Sequence, residues 1–137
     1  MTNKTFTVSE ANAMLPQLQE DLRKLQALTR EFELQYSELR KKKVGKGQPS
    51  VSPEVGKDPF FEMEGQLEFM RMEADLLINN FERKGVLLKM INPGLIDFPA
   101  VLDGEDVLIC WKEGEERISH YHGWNDGFAG RKSLPEE

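Results

Sequence analysis

The stretch Gly94-Leu95-Ile96-Asp97-Phe98-Pro99-Ala100-Val101-Leu102-Asp103-Gly104-Glu105-Asp106-Val107-Leu108-Ile109-Cys110-Trp111-Lys112-Glu113-Gly114-Glu115 decides the fold. Asp103-Gly104 is the strongest short hairpin signal in the chain, because a two-residue type I′ turn needs positive φ at both central residues. The apolar runs on either side, 95–102 and 106–112, have the length and composition of strands. Pro99 cannot donate to a sheet ladder, so its strand is expected to be an edge or bulged there. Working outward, Val86-Leu87-Leu88-Lys89-Met90 reads as a preceding strand. Glu113-Gly114 reads as a turn, and Arg117-Ile118-Ser119-His120-Tyr121 as a fourth strand. The last third of the chain is therefore expected to be a small antiparallel meander of three or four strands over 86–122, with a tail over 123–137.

Upstream of residue 86 the period changes. Phe60, Met63, Leu67, Met70, Ala74, Leu77 and Phe81 alternate spacings of 3 and 4, a helical seam repeating every 3.5 residues, over an expected helix at 59–84. Asp58 before Pro59 suits an N-cap followed by proline at the first helical position, and Gly85 suits the C-terminal cap. A matching seam runs through Leu18, Leu22, Leu25, Thr29, Phe32, Tyr36 and Leu39 and ends at Lys41-Lys42-Lys43, where cations favour the helix dipole. Two seams of equal period and length predict an antiparallel helical hairpin. Thr7 and Glu10 have capping-box spacing, and Phe6 can staple against Ala11. Pro16 costs about 3 kcal/mol inside a helix. The expectation is a short helix over 8–14, a break, and a restart at Pro16 within a helical part spanning 7–43. The segment 44–58, with three glycines and two prolines, is read as a linker loop.

The predicted class is thus α+β: a long antiparallel α-helical hairpin followed by a small antiparallel sheet, in a single domain over 1–137. A helix over 16–43 would be about 42 Å long. A sphere with the radius of gyration of a compact chain of this size is only about 37 Å across, so the hairpin is expected to project. Phe69, Met72 and Leu76 form a second apolar stripe on the later helix, which the facing seam does not use. Either the sheet or a second copy of the chain must cover it. The reading adopted is a homodimer, since two-fold dimers are the commonest oligomers.

Composition narrows the function. Eighteen Lys and Arg against 24 Asp and Glu give a net charge of -6. Residues 1–58 carry ten basic and eight acidic side chains (+2), and 59–137 carry eight and sixteen (-8). This is not the balance of a nucleic-acid binder. Arg40-Lys41-Lys42-Lys43, with Lys46, is a basic patch without interleaved aromatics and reads as a solvated helix end. The N-terminus has no apolar signal core, and no run approaches the roughly 20 residues of a membrane span. The chain is therefore expected to be a soluble cytoplasmic protein with no membrane insertion and no nucleic-acid partner. The single cysteine, Cys110, excludes an internal disulfide and reads as a small buried hydrophobe.

The cluster His120, His122 and Asp126 is the ligand-type group visible in sequence. Two residues apart on a strand, the histidines share a face, and Asp126 would supply an oxygen. A divalent metal is the cofactor such a group would take, framed by Tyr121 and Trp124. The glycines of Gly127-Phe128-Ala129-Gly130-Arg131 allow a close backbone approach, and Arg131 offers a forked donor to a carboxylate or phosphate. Asp97 stands among apolar strand residues and needs a partner; Arg131 is the expected one. Asp97, Trp111, His122 and Arg131 are the candidate binding residues, with His122 and Arg131 (beside Asp126) foremost and Asp97 and Trp111 behind them. No residue is designated catalytic.

Three segments, 6–16 (FTVSEANAMLP), 94–115 and 121–131 (YHGWNDGFAGR), resemble a bacterial family of uncharacterised proteins, domain of unknown function 2203. The most specific matches are Gly94-Leu95-Ile96-Asp97-Phe98-Pro99, Cys110-Trp111, and His122 followed by Gly127-Phe128-Ala129-Gly130-Arg131. The resemblance implies a small soluble protein with an N-terminal helical part and no established activity. Members often carry an acidic residue directly after the histidine, where this chain has Gly123. Some bear a cell-division label like that of coiled-coil polar scaffolds. The leading reading is a non-enzymatic, self-associating interaction or scaffold module with a homodimer or another protein as partner. The alternative is a small-molecule or metal-binding protein, in one form a hydrolase, with a site around His122.

Overall fold

The Thr7–Glu10 capping box forms as its spacing predicts. Thr7 N donates to Glu10 Oε1 at 2.8 Å, and Glu10 N donates to Thr7 Oγ1 at 3.0 Å. Phe6 and Ala11, the residues of the staple, are both buried in the main core. The structure, a computed structural model, describes residues 4–45 and 59–135. From the cap, helix α1 runs without interruption from Val8 to Gly45, with Pro16 inside it. The break expected at Pro16 does not occur. Ala11 and Leu15 before the proline and Leu18, Leu22 and Leu25 after it are all buried in one core cluster. Burying a side chain of this size contributes about 1.5–3 kcal/mol, so the shared burial outweighs the proline's cost.

The expected linker lies outside the described residues from 46 onward, as does the Asp58 cap, while Val44 and Gly45 belong to α1. Helix α2 spans Phe61–Arg83, so Pro59 precedes it rather than opening it. Phe60 is the N-cap residue, and its carbonyl accepts from Glu64 N at 2.9 Å. At the other end Gly85 adopts φ 85°, Val86 N donates to Phe81 O and Gly85 N donates to Glu82 O. That is a Schellman cap, which needs the left-handed conformation glycine tolerates. The helices run antiparallel: Lys43 near the end of α1 pairs with Glu64 near the start of α2 at 3.1 Å. Asp21 pairs with Lys84 beyond the other end, also at 3.1 Å. Leu39, Leu67 and Met70 close the seam away from the sheet, whereas Tyr36 is exposed.

The sheet has five antiparallel strands, one more than the upper expectation, in the meander order β1-β2-β3-β4-β5. They are β1 (Leu87–Met90), β2 (Leu95–Leu102), β3 (Glu105–Lys112), β4 (His120–Gly123) and β5 (Lys132–Ser133). Asp103 (φ 50°) and Gly104 (φ 80°) make the predicted two-residue turn. β1 pairs with β2 only as far as Asp97, so Pro99 lies where β2 is an edge. Its carbonyl accepts there from Phe6 N at 2.8 Å. The extra strand arises because the tail folds back: Phe128–Gly130 forms a 3-10 turn, and β5 pairs with β4. Ile96, Phe98, Ala100, Val107, Ile109 and Trp111 line the sheet face that packs with α1 and Phe81 of α2. Among the described residues, no helix is long and apolar enough to cross a membrane.

Candidate functional site

Strand alternation that sends Ile96, Phe98, Ile109 and Trp111 into the core sends Asp97, Leu108, Cys110 and His122 to the opposite face. That second face is also buried. Asp97 is 3%, Cys110 1% and His122 4% exposed. The 3-10 turn of the folded-back tail lies against β4.

Each of the three polar residues comes from a different, adjacent strand. Asp97 on β2 stands opposite Cys110 on β3, and His122 on β4 stands opposite Leu108. The imidazole of His122 reaches across β3, bringing Nε2 to 3.1 Å from Asp97 Oδ2. Its other nitrogen, Nδ1, is 2.8 Å from the carbonyl of Gly123. A carbonyl only accepts, so Nδ1 carries a proton. The thiol of Cys110 is pushed up to about 12 by burial, then by the charge of Asp97 and the hydrogen bond between them; Arg131 acts weakly the other way. Cys110 is therefore a neutral thiol and no nucleophile in this setting. Among the described residues, Asp97, Cys110 and His122 are the group of metal-ligating type whose donor atoms all lie within 4.8 Å of one another.

The remaining candidates are placed elsewhere. Arg131 does not pair with Asp97: its Nη2 donates to both carboxylate oxygens of Glu115, at 2.9 and 2.8 Å. It also lies over the Phe128 ring, 4.6 Å from the centroid. One terminal nitrogen of the guanidinium thus serves both Glu115 oxygens, while Asp97 Oδ2 already faces His122 Nε2. His120 shares the face of His122 but not its partners: Nδ1 is 2.9 Å from Ser119 Oγ and 3.8 Å from Glu115 Oε2. Asp126 is exposed and its Oδ2 accepts from Gly123 N at 3.2 Å, holding the turn rather than joining the histidines. A Cβ at Gly123 would lie 2.8 Å from Asp126 Oδ2, the far end of an exposed side chain that can move aside. Trp111 sits on the core face, donating from Nε1 to Glu115 O at 2.8 Å, and does not back the site. Tyr121 packs against the core and Trp124 is largely exposed, so neither frames the polar group.

Sequence reading thus brought Asp97 and His122 forward but missed Cys110 as their neighbour and Glu115 as the partner of Arg131. The signal for Cys110 was present. A two-residue turn at Asp103-Gly104 fixes the register of its strands, and counting back from it sets Asp97 against Cys110. Glu115 follows Glu113-Gly114, and nothing in its local sequence distinguishes it from a solvated turn acid.

No curated protein and no solved structure matches the chain. A family model described as "Uncharacterized conserved protein (DUF2203)" matches residues 4–134, nearly the whole described chain. The chain therefore belongs to the DUF2203 family of uncharacterised conserved proteins.

Proposed function

We propose that the protein is a non-enzymatic, self-associating interaction module in which a second copy covers the outer stripe of α2. The observation that carries this reading is the stripe itself. Phe69, Met72 and Leu76 are 63%, 55% and 60% exposed, and Phe61, about two turns before Phe69, is 71% exposed. At 100° per residue these side chains lie within about 80° of one another, on the side of α2 away from the seam that faces α1. The sheet does not cover them. Contiguous exposed apolar surface rimmed by polar groups is characteristic of interaction sites.

The rim favours a second copy. Glu62, Glu64, Glu68, Glu73 and Asp75 flank the stripe. The end of α1 offers exposed Arg40, Lys41 and Lys42 beside a groove lined by Tyr36, Ser37, Arg40, Lys41 and Val44. In a two-fold dimer each chain presents both surfaces, so the same complementary contact is made twice. Light scattering at micromolar concentration is expected to give twice 15.7 kDa. Phe69→Glu and Leu76→Glu are each expected to weaken association at least about tenfold, from the 1.5–3 kcal/mol of burial lost. Salt is expected to weaken association by screening opposite charges. A monomer at every accessible concentration, or association indifferent to both variants, rejects the reading.

A further inference from the structure

We propose that Asp97, Cys110 and His122 form a binding site for a divalent transition-metal ion of the zinc class. The inference is independent of self-association and uses the other end of the molecule. Three adjacent strands each supply one donor: a carboxylate oxygen, a sulfur and an imidazole nitrogen, all within 4.8 Å of one another and all buried. This is a borderline-soft donor set of the type that selects zinc over calcium or magnesium.

The hydrogen-bond balance points the same way. His122 Nδ1 carries a proton because it faces the Gly123 carbonyl at 2.8 Å. In a neutral ring Nε2 then holds a lone pair, and it points at a carboxylate oxygen 3.1 Å away. Two acceptors at that distance need a cation between or beside them, either a proton or a metal. A metal-bound histidine has this same arrangement, with one nitrogen on the metal and the other donating to a backbone carbonyl that fixes the tautomer. Ligand distances of zinc in tetrahedral geometry put nitrogen and oxygen about 3.3 Å apart, and nitrogen and sulfur about 3.6 Å apart. The first is nearly met at 3.1 Å, and the second needs side-chain shifts of at most about 1.2 Å, since the donor atoms lie within 4.8 Å of one another. Strands hold such donors more firmly than loops do.

Three protein ligands leave a fourth position for water or another oxygen donor. Arg131 stands close enough for its charge to act on Cys110, and its buried Nε–H has no hydrogen-bond partner among the described residues. It is a donor suited to an oxygen in that position. On binding, the proton held between His122 Nε2 and Asp97 Oδ2 is displaced and the S–H bond of Cys110 breaks, nitrogen–, oxygen– and sulfur–metal bonds form, and both protons leave to solvent. No electrons are transferred.

The test uses the full chain, loaded with Zn2+, dialysed against buffer and analysed for metal, then reloaded with Co2+ for absorption spectroscopy. About one zinc per chain is expected, along with the near-ultraviolet thiolate-to-cobalt charge-transfer band. Cys110→Ser is expected to lose the band and to retain markedly less zinc. The chain has a single cysteine, so the band in the wild-type protein identifies Cys110 even where the variant does not fold. Zinc retained no better than by a folded Cys110→Ser chain, or a cobalt complex without the sulfur band, overturns the site. In that case the cation between His122 and Asp97 is a proton.

Discussion

Glu113 ties the first sheet turn to α1. Its Oε1 accepts from Gly94 N and from Gln26 Nε2, both at 2.8 Å, and Glu113 N donates back to Gly94 O at 2.8 Å. Gly94 sits so close to Leu22 that a Cβ there would collide with it. The Gly94 hydrogen bond, then that of Gln26, hold the Glu113 carboxyl below its ordinary value of 4.5; the charge of Arg23 adds a little and burial opposes. A carboxyl lowered in the folded state adds stability above the unfolded value and loses it as pH falls through the lowered one. Wild-type protein is therefore expected to exceed Glu113→Gln in stability at neutral pH, with the gap closing below pH 4.5. The effect is small because Glu113 is largely solvated. Urea unfolding at a series of pH values measures it, and a gap unchanged down to the acid limb excludes it. At this scale the sequence was only partly legible. A lone aspartate among apolar strand residues announces that it needs a partner, but which one depends on register and on how the tail returns. Both are tertiary facts.

At the scale of the elements, the hairpin and three of the strands were legible because each rests on a periodic pattern or a turn dipeptide, whereas the fourth, expected over 117–121, lies at His120–Gly123 and shares only two residues with that expectation. Pro16 was the failure. Its penalty is local, whereas the contacts opposing it come from the sheet and from both flanks of the proline in the same helix. A local rule cannot weigh them. The penalty remains inside the folded state, so Pro16→Ala is expected to stabilise the protein by about 2 kcal/mol, the helix gain less the proline's restriction of the unfolded chain. Chemical denaturation measures this, and an unchanged or lower midpoint means that α1 does not bear the proline as an interior residue. The fifth strand was illegible for a different reason. Two residues carry no period, and Lys132-Ser133 becomes a strand only because β4 presents an edge beside it.

Across the whole molecule the contacts are uneven. The first half of α1 packs with the sheet and Gln26 still bonds to Ile91 O and Glu113, while beyond Gln26 the helix has α2 beside it among the described residues. A helix of 38 residues is about 57 Å long, against about 42 Å for the expected 16–43, but most of the added length, residues 8–15, lies in the sheet-packed core and the far end gains only Val44 and Gly45. Amide exchange is expected to follow this division, with strong protection for residues 11–25 and for β2 and β3 and weaker protection for residues 30–45. Uniform protection along α1 in a protein shown to be monomeric contradicts it. Protection of the distal half that rises with protein concentration is the mark of the second copy.

The polar residues spread over β2, β3 and β4 have one more consequence, which concerns misfolding. A meander of short apolar strands has many near-equivalent alignments, and a slip of one position turns every side chain to the opposite face. Here such a slip of β3 would bring Trp111 out of the core to stand against Asp97 and send Cys110 inward in its place. A bulky indole cannot replace a thiol donor in that space, and the buried carboxylate would lose a partner in a dry environment. Asp97, Cys110 and His122 therefore act as a proofreading mark on the alignment of the sheet, penalising each wrong pairing that the surrounding Leu, Ile and Val residues would accept.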